Sequence, residues 1–266
     1  MSSLDDIQRS AQQQFNRQSA CYGKSHILAD TSDVAEIIAR VPAGQGRRAL
    51  DVATGGGHTG LYLASQRWEV TLADISPAML ERARALAGER GLRVETRQHT
   101  AEEMPYPDAT FDLVTCRVAP HHFSSVETFV RESARVLRPG GAFVVIDGSV
   151  EDDHPEAEEW LHQVEKLRDP SHVRFISPRQ WTRLCELAGL CVIVCELQPM
   201  KQPDLNWYLD VANTSPVNRA KIFELIHTAP DSARQLFRLT EESGSPRCER
   251  GKIVWWWQRI SLLAVK

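Results

Sequence analysis

No stretch of the chain approaches the roughly 18 consecutive apolar residues that a bilayer-spanning helix needs. The opening MSSLDDIQRSAQQQFNRQ places Asp5 and Asp6 where a secretion signal would carry basic and then apolar residues. Export and a membrane partner are therefore not expected, and the expected location is cytoplasmic. Nor is there an excess of positive charge. Thirty-one Lys and Arg face 35 Asp and Glu for a net charge of -4, so the electrostatic footprint of a nucleic-acid partner is missing. Cysteine is sparse, at positions 21, 116, 185, 191, 195 and 248, with no Cys-x-x-Cys pair. That disfavours a zinc cluster and a disulfide framework, and leaves ordinary reduced thiols with no metal expected. No internal repeat or low-complexity tract appears. What remains is a 266-residue chain, 42% apolar and 25% charged, long enough to bury a core.

Between about residues 31 and 148, short apolar runs alternate with helix-period segments, the pattern of an α/β fold with a parallel sheet and crossover helices. Ser32 is placed to cap a helix with Val34, Ile37, Ile38 and Val41 on one face, ended by Pro42. Predicted strands follow at Ala49–Ala53, Glu69–Ala73, Leu92–Arg97, Phe111–Cys116, Ala142–Asp147 and Cys191–Cys195, with a last strand within Ile253–Val265. Ser76-Pro77 opens one crossover helix, Ser124-x-x-Glu127 reads as a capping box for another, and Ser177-Pro178-x-Gln180 opens a third. The division expected is a leading helical lid over 1–30, a Rossmann-like core over 31–196, a helical cap over 197–250, and a final core strand over 251–266.

After the first strand stands Asp51-Val-Ala-Thr54-Gly55-Gly-Gly57-His-Thr-Gly60, a G-x-G-x-x-G spacing. Glycines let the backbone turn sharply beside a ligand, and the helix that starts there offers unpaired N–H groups. That physics suits a dinucleotide, a flavin or a nucleoside bearing a carboxylate equally well. Asp74, ending the second strand, is placed to accept both hydroxyls of a ribose. Asp51 ends the first strand in the same crevice. An acidic group there repels a pyrophosphate and welcomes an ammonium or sulfonium group, which points to S-adenosylmethionine.

The stretches ALDVATGGGHTG, LADISPAML, TAEEMPYPDATFDLVTC, CRVAPHHF, ARVLRPGG and LRDPSHVR, in that order, resemble class I S-adenosylmethionine-dependent methyltransferases, most of all the ubiquinone/menaquinone-biosynthesis C-methyltransferase-like branch. The resemblance implies a seven-stranded, mostly parallel sheet with an antiparallel last strand. It implies that Gly55 and Gly57 let the backbone pass the methionine part of the cofactor, with Thr54 nearby, and that Asp51 organises the loop and its ammonium side. Asp74 would hold the ribose, Ile75 and Met79 would pack on the adenine, and Thr100, Ala101 and Glu102 would border its edge. Arg117 would offer backbone to the methionine end. Tyr22, after a leading helix that closes over the cofactor in related enzymes, is a further candidate. The chain departs from the family in having His99-Thr100-Ala101 where Gly-Asp-Ala is common, and Ala53 where a glycine often stands.

A sulfonium methyl is already activated, so the enzyme mainly aligns an acceptor for in-line displacement and excludes water. A proton must leave if the acceptor is a hydroxyl, thiol or acidic carbon. His121 and His122, just past the fourth strand, are candidate bases; a helix cap or a neutral core ring is the alternative for either. His172, with Arg168 and Arg174, falls in a charged segment expected to meet the acceptor, or else to form a salt-bridged lid. Trp207 and Tyr208 are candidates for lining the pocket, whereas Trp255, Trp256 and Trp257 suit sheet packing or a homodimer contact. The partner expected is a small-molecule acceptor. Competing readings are an enzyme that uses the same cofactor for intramolecular displacement with release of methylthioadenosine, a nonenzymatic cofactor-binding regulator, and, last, a nicotinamide-linked dehydrogenase.

Overall fold

The computed structural model describes residues 4–21, 27–42, 46–242 and 252–266. In chain order they form α1 (Asp6–Gln18), α2 (Ser32–Ile38), β1 (Arg48–Val52), α3 (His58–Ser65), β2 (Glu69–Asp74), α4 (Pro77–Glu89), β3 (Glu95–Gln98), β4 (Phe111–Arg117), α5 (Val126–Val136), β5 (Leu137–Ser149), α6 (Pro155–Arg168), α7 (Pro178–Leu187) and β6 (Cys191–Lys201). Beyond them come α8 (Leu205–Val211), α9 (Pro216–His227), α10 (Asp231–Leu236), β7 (Thr240–Glu242), β8 (Lys252–Val254) and β9 (Trp256–Val265). Seven strands make one sheet in the order β3-β2-β1-β4-β5-β9-β6. The first five are mutually parallel, and β9 runs antiparallel to both β5 and β6. The order reverses between β1 and β4, which places a crevice at their carboxyl ends.

Alternation along the strands builds a core on each face of the sheet. Leu50 and Val52 of β1 join Val114, Phe129, Phe143 and Trp181 beneath α5 and α7. Ala49 faces the other way, with Val34, Ile37, Leu63, Leu72 and Leu113. Because both faces are covered, the inner strands read as nearly unbroken apolar runs.

Several boundaries differ from the sequence expectation. Thr31, not Ser32, takes the N-cap position of α2. Ser125, not Ser124, caps α5 by accepting from the Thr128 N–H, which frees the Ser124 hydroxyl to bond Glu102. The third strand is Glu95–Gln98, because Leu92 turns inward to pack on Leu61 and Leu86. The sixth strand runs on to Lys201, paired with β9 as far as Trp256. Its polar half becomes strand because a long partner is available, not because of its own pattern.

The segment expected to be a single last strand is two. Lys252–Val254 pairs with Thr240–Glu242 in a separate two-stranded sheet, and the chain turns at Trp255 before β9. Trp255 is 2% exposed, its carbonyl accepts from the Gln202 N–H, and the Trp256 N–H donates to the Phe237 carbonyl. Helices α6, α8, α9 and α10 close a second core around Trp160, Tyr208, Leu209, Ile222, Phe237 and Trp255. The three tryptophans thus pack within the chain: Trp257 edges onto Phe175 and Trp256 lies under Arg238. Among the described residues no helix is long and apolar enough to cross a membrane.

Candidate active site

At the carboxyl ends of β1, β2 and β4 lies a concavity with about 850 Å³ of empty space, its mouth included, walled by Thr54, Gly55, Gly56, His58, Asp74 and Ile75 on the loop side. The local sequence explains this wall. Gly57 sits at φ +86°, and a Cβ there would come within 2.9 Å of the Ala83 Cβ, so the turn into α3 admits only glycine. Gly60 lies against β2, where a Cβ would fall 2.1 Å from a Leu72 methyl and 3.2 Å from an Asp51 oxygen. Gly60→Ala is expected to cost about 1–3 kcal/mol of folding stability through overpacking. Chemical denaturation would show it as a lowered midpoint, and an unchanged midpoint would count against so tight a seat. Ala53 and Val118, at the ends of β1 and β4, both take positive φ, +52° and +53°. Such a conformation is costly for a β-branched residue, and it marks the two strand ends that face each other across the crevice.

Asp74 is 6% exposed. Its Oδ2 accepts from the Gly55 N–H at 2.8 Å and its Oδ1 from the Ser76 N–H at 2.8 Å, and each oxygen keeps lone-pair capacity for a further donor. Burial raises its pKa to about 6, opposed by those two amides and reinforced by the charge of Asp51. Asp51 itself is not part of the wall. It is 1% exposed and accepts from the hydroxyl of Thr115 at 2.7 Å, the Gly60 N–H at 3.1 Å and the hydroxyl of Thr54; burial pushes its carboxyl above the ordinary value. Its carboxylate organises the loop from beneath, and its donors all come from the protein.

The opposite wall is formed by Ala101, Glu102, Ala119, His122, Phe123 and the α1 residue Phe15. Glu102 accepts from the Ser124 N–H and hydroxyl and from the Gln8 amide. Gln12 donates to the Ile75 carbonyl at 2.8 Å, and the Ser76 hydroxyl donates to Asn16 at 2.6 Å. Gln8, Gln12 and Asn16 recur every four residues, so one polar stripe of α1 fastens it over the crevice while Ala11 and Phe15 face inward. Thr100 and His99 complete the rim. His99 bonds the Thr100 carbonyl and the Tyr106 hydroxyl, and burial lowers its pKa. Arg117 also lines the site, but its guanidinium is committed to Asp33 at 2.9 Å and to the carbonyls of Leu28 and Asp30.

The remaining sequence candidates lie elsewhere. Met79 is fully buried on the inner face of α4 with Ala83 and Leu86, off the wall, because the helix turns it toward the sheet. Arg168 stacks over the Tyr208 ring, 3.9 Å from its centroid, and pairs with Glu165. Tyr208 donates to that same carboxylate, and Trp207 packs on the second core. Arg174 is half exposed and paired with Glu158. His121 and His172 are buried behind the wall: His121 is bonded to Asp147 at 2.6 Å, and His172 is 1% exposed against Phe175. Tyr22 falls outside the described residues. Sequence reading did not single out Gln8, Phe15, His58, Val118, Ala119 or Phe123 as site residues. Val118, Ala119 and Phe123 flank the histidine pair, and Phe15 was on the apolar face of α1, so a signal existed for those four. Among the described residues no group of three or more His, Cys, Asp or Glu side chains could hold a metal.

The wall fits a sulfonium nucleoside. A glycine turn without side chains and a buried carboxylate with spare lone pairs form one continuous surface, and the Asp51 carboxylate lies beneath the loop, where a diphosphate would be repelled. Comparison with known proteins agrees. Residues 50–145 match the methyltransferase domain family. The chain is 33% identical over 242 residues to an uncharacterized methyltransferase, YcgJ, of Bacillus subtilis, covering 87% of this chain and 92% of that one. The crystal structure of YcgJ superposes with a TM-score of 0.79 at 30% identity, covering 89% of this chain and 99% of that one. A demethylmenaquinone methyltransferase of Deinococcus radiodurans is 38% identical over 115 residues, covering 42% of this chain and 46% of that protein. Motif order, sheet topology and the crevice at the strand reversal thus converge with these likenesses, and the chain belongs to the class I S-adenosylmethionine-dependent methyltransferases.

Proposed function

We propose that this methyltransferase acts on a small, neutral, largely apolar acceptor that enters beside His122, and that His122 removes the acceptor's proton. The observation that carries the reading is that His122, alone of the three candidate histidines, lines the same concavity as the glycine turn and Asp74. The rest of that side is Phe15, Leu28, Ala101, Ala119 and Phe123, with the Glu102 carboxylate committed to Ser124 and Gln8. Among the described residues no cationic side chain is left over there for an anionic acceptor, since the Arg117 guanidinium is spent on Asp33 and two carbonyls.

S-adenosylmethionine, when bound, supplies a methyl group activated for displacement by its sulfonium. Asp74 would accept the ribose hydroxyls, Gly55 and Gly56 would admit the amino-acid part against bare backbone, and Ile75, Thr100 and Ala101 would border the adenine. Phe15 and Phe123 would exclude water from the acceptor side. His122 would take the proton at Nε2, because its Nδ1 faces Ser171 at 3.1 Å. Burial, with the neighbouring His121 adding to it, holds the His122 ring well below its ordinary pKa, so the ring is neutral before an acceptor binds. The quinone-precursor substrate named for the Deinococcus radiodurans relative falls in the same class of apolar acceptor.

The test is a panel of neutral phenols, quinols, thiols and activated carbons assayed for S-adenosylhomocysteine. Its appearance with apolar acceptors is the expected result. Release of methylthioadenosine instead, or turnover confined to anionic acceptors, would refute the proposal.

A further inference from the structure

The turn after α6, within LRDPSHVR, brings to the back of His122 two groups that are not among the candidate site residues. The Ser171 hydroxyl lies 3.1 Å from His122 Nδ1 and 2.6 Å from Asp169 Oδ1. Asp169 Oδ1 also accepts from the Ser171 N–H at 2.9 Å. The turn is stitched in place: the His172 N–H donates to the Asp169 carbonyl, the Val173 N–H to the His121 carbonyl, and Lys166 Nζ to the His172 carbonyl. Ser171 and Asp169 are 3% and 7% exposed.

A hydroxyl owns one hydrogen. Burial pushes the Asp169 carboxyl up, the two Ser171 bonds and Arg168 pull it down, and the 2.6 Å contact from the Ser171 hydroxyl is that of a hydroxyl donating to a carboxylate. An ionised carboxylate only accepts, so the Ser171 hydrogen goes to Asp169 and the oxygen turns a lone pair toward His122. The partner of that lone pair must be an N–H. We propose that Ser171, oriented by Asp169, is a positioning residue that places the proton of neutral His122 on Nδ1 and so keeps Nε2 the accepting nitrogen. The other groups around the ring do not supply this bond. His121 lies 4.1 Å away between centroids, tilted by 45°, but is held by Asp147, and His172 stands 6.4 Å away. Phe15 offers only its edge at 4.9 Å, Arg168 is paired with Glu165, and the Glu102 carboxylate on the same wall is committed to Ser124 and Gln8.

The catalytic consequence rests on His122 being the base; the proton placement does not. Long-range proton–nitrogen NMR correlation on the full chain labelled with ¹⁵N-histidine, near neutral pH and without acceptor, reads the tautomer directly, and His122→Gln identifies the signal. The wild type is expected to show Nδ1–H. Ser171→Ala is expected to move the ring mostly to Nε2–H, and Ser171→Thr, which keeps the hydroxyl, to restore Nδ1–H. Asp169→Ala removes the acceptor of the Ser171 hydrogen, which is then free to turn to Nδ1, and is expected to raise the share of Nε2–H. Turnover in Ser171→Ala and Asp169→Ala should fall about tenfold or more, with the KM for S-adenosylmethionine unchanged. Nε2–H in the wild type, or Nδ1–H persisting in both variants, overturns the proposal whatever the turnover. A moved tautomer with undiminished turnover supports the placement and counts against His122 as the base.

Discussion

His122→Gln is expected to lower turnover by about 10²–10⁴-fold, the range in which a positioned general base contributes. Affinity for S-adenosylhomocysteine should stay within about threefold, because the ribose and adenine contacts assigned here lie on Asp74, Ile75 and Thr100. Glutamine keeps much of the volume between Phe15 and Phe123 and removes the ring that could take a proton. The separation of rate from affinity is what identifies a base. Stopped assays with any acceptor that the wild type methylates, run beside calorimetric titration, give both numbers. A variant that turns over at the wild-type rate ends the assignment. The matching change at His121 should cost much less, since that ring sits behind the wall on Asp147.

Asp74→Ala is expected to weaken S-adenosylhomocysteine binding about 5- to 150-fold, or ~1–3 kcal/mol, for loss of hydrogen bonds to a charged acceptor. Two effects act together. The ribose loses its partner, and the amides of Gly55 and Ser76 lose theirs, so the glycine turn is no longer tied to the end of β2. The raised pKa, about 6, adds a pH signature. Below that value the free carboxyl holds a proton that binding must displace, so affinity falls on acidification; between pH 7.5 and pH 5 it should drop about tenfold by linkage. Asp74→Asn should bind weakly and show little of this slope. Wild-type affinity that is flat across that range would remove Asp74 from the ribose site.

The site was legible in the sequence to the extent that its parts are local. The turn after β1, Asp74 at the end of β2 and the histidines after β4 each follow a strand end, and parallel strands deliver their carboxyl ends to one edge. Asp51 shows the limit of that reading. Its position near the crevice was visible, but whether its charge met a ligand or the protein depended on Thr115 in the neighbouring strand and on Gly60 in α3. Arg168, Arg174, Trp207 and Tyr208 stand away from the concavity for a related reason. Their charges and aromatics suited a pocket equally well, and only packing of α6 against α8 and α9 spent them on one another.

By itself the sequence determined the alternation of strands and helices, the glycine turn with its two carboxylates, and hence the kind of cofactor, because each depends on residues near one another in the chain. Tertiary structure alone decided which histidine reaches the wall, that α1 lies over the crevice, that 197–242 and 252–254 divide between a sheet edge and a second core, and that Ser171 stands behind His122. Those are contacts between distant segments. Their free energy comes from burial and from hydrogen bonds whose partners exist only once the chain has folded.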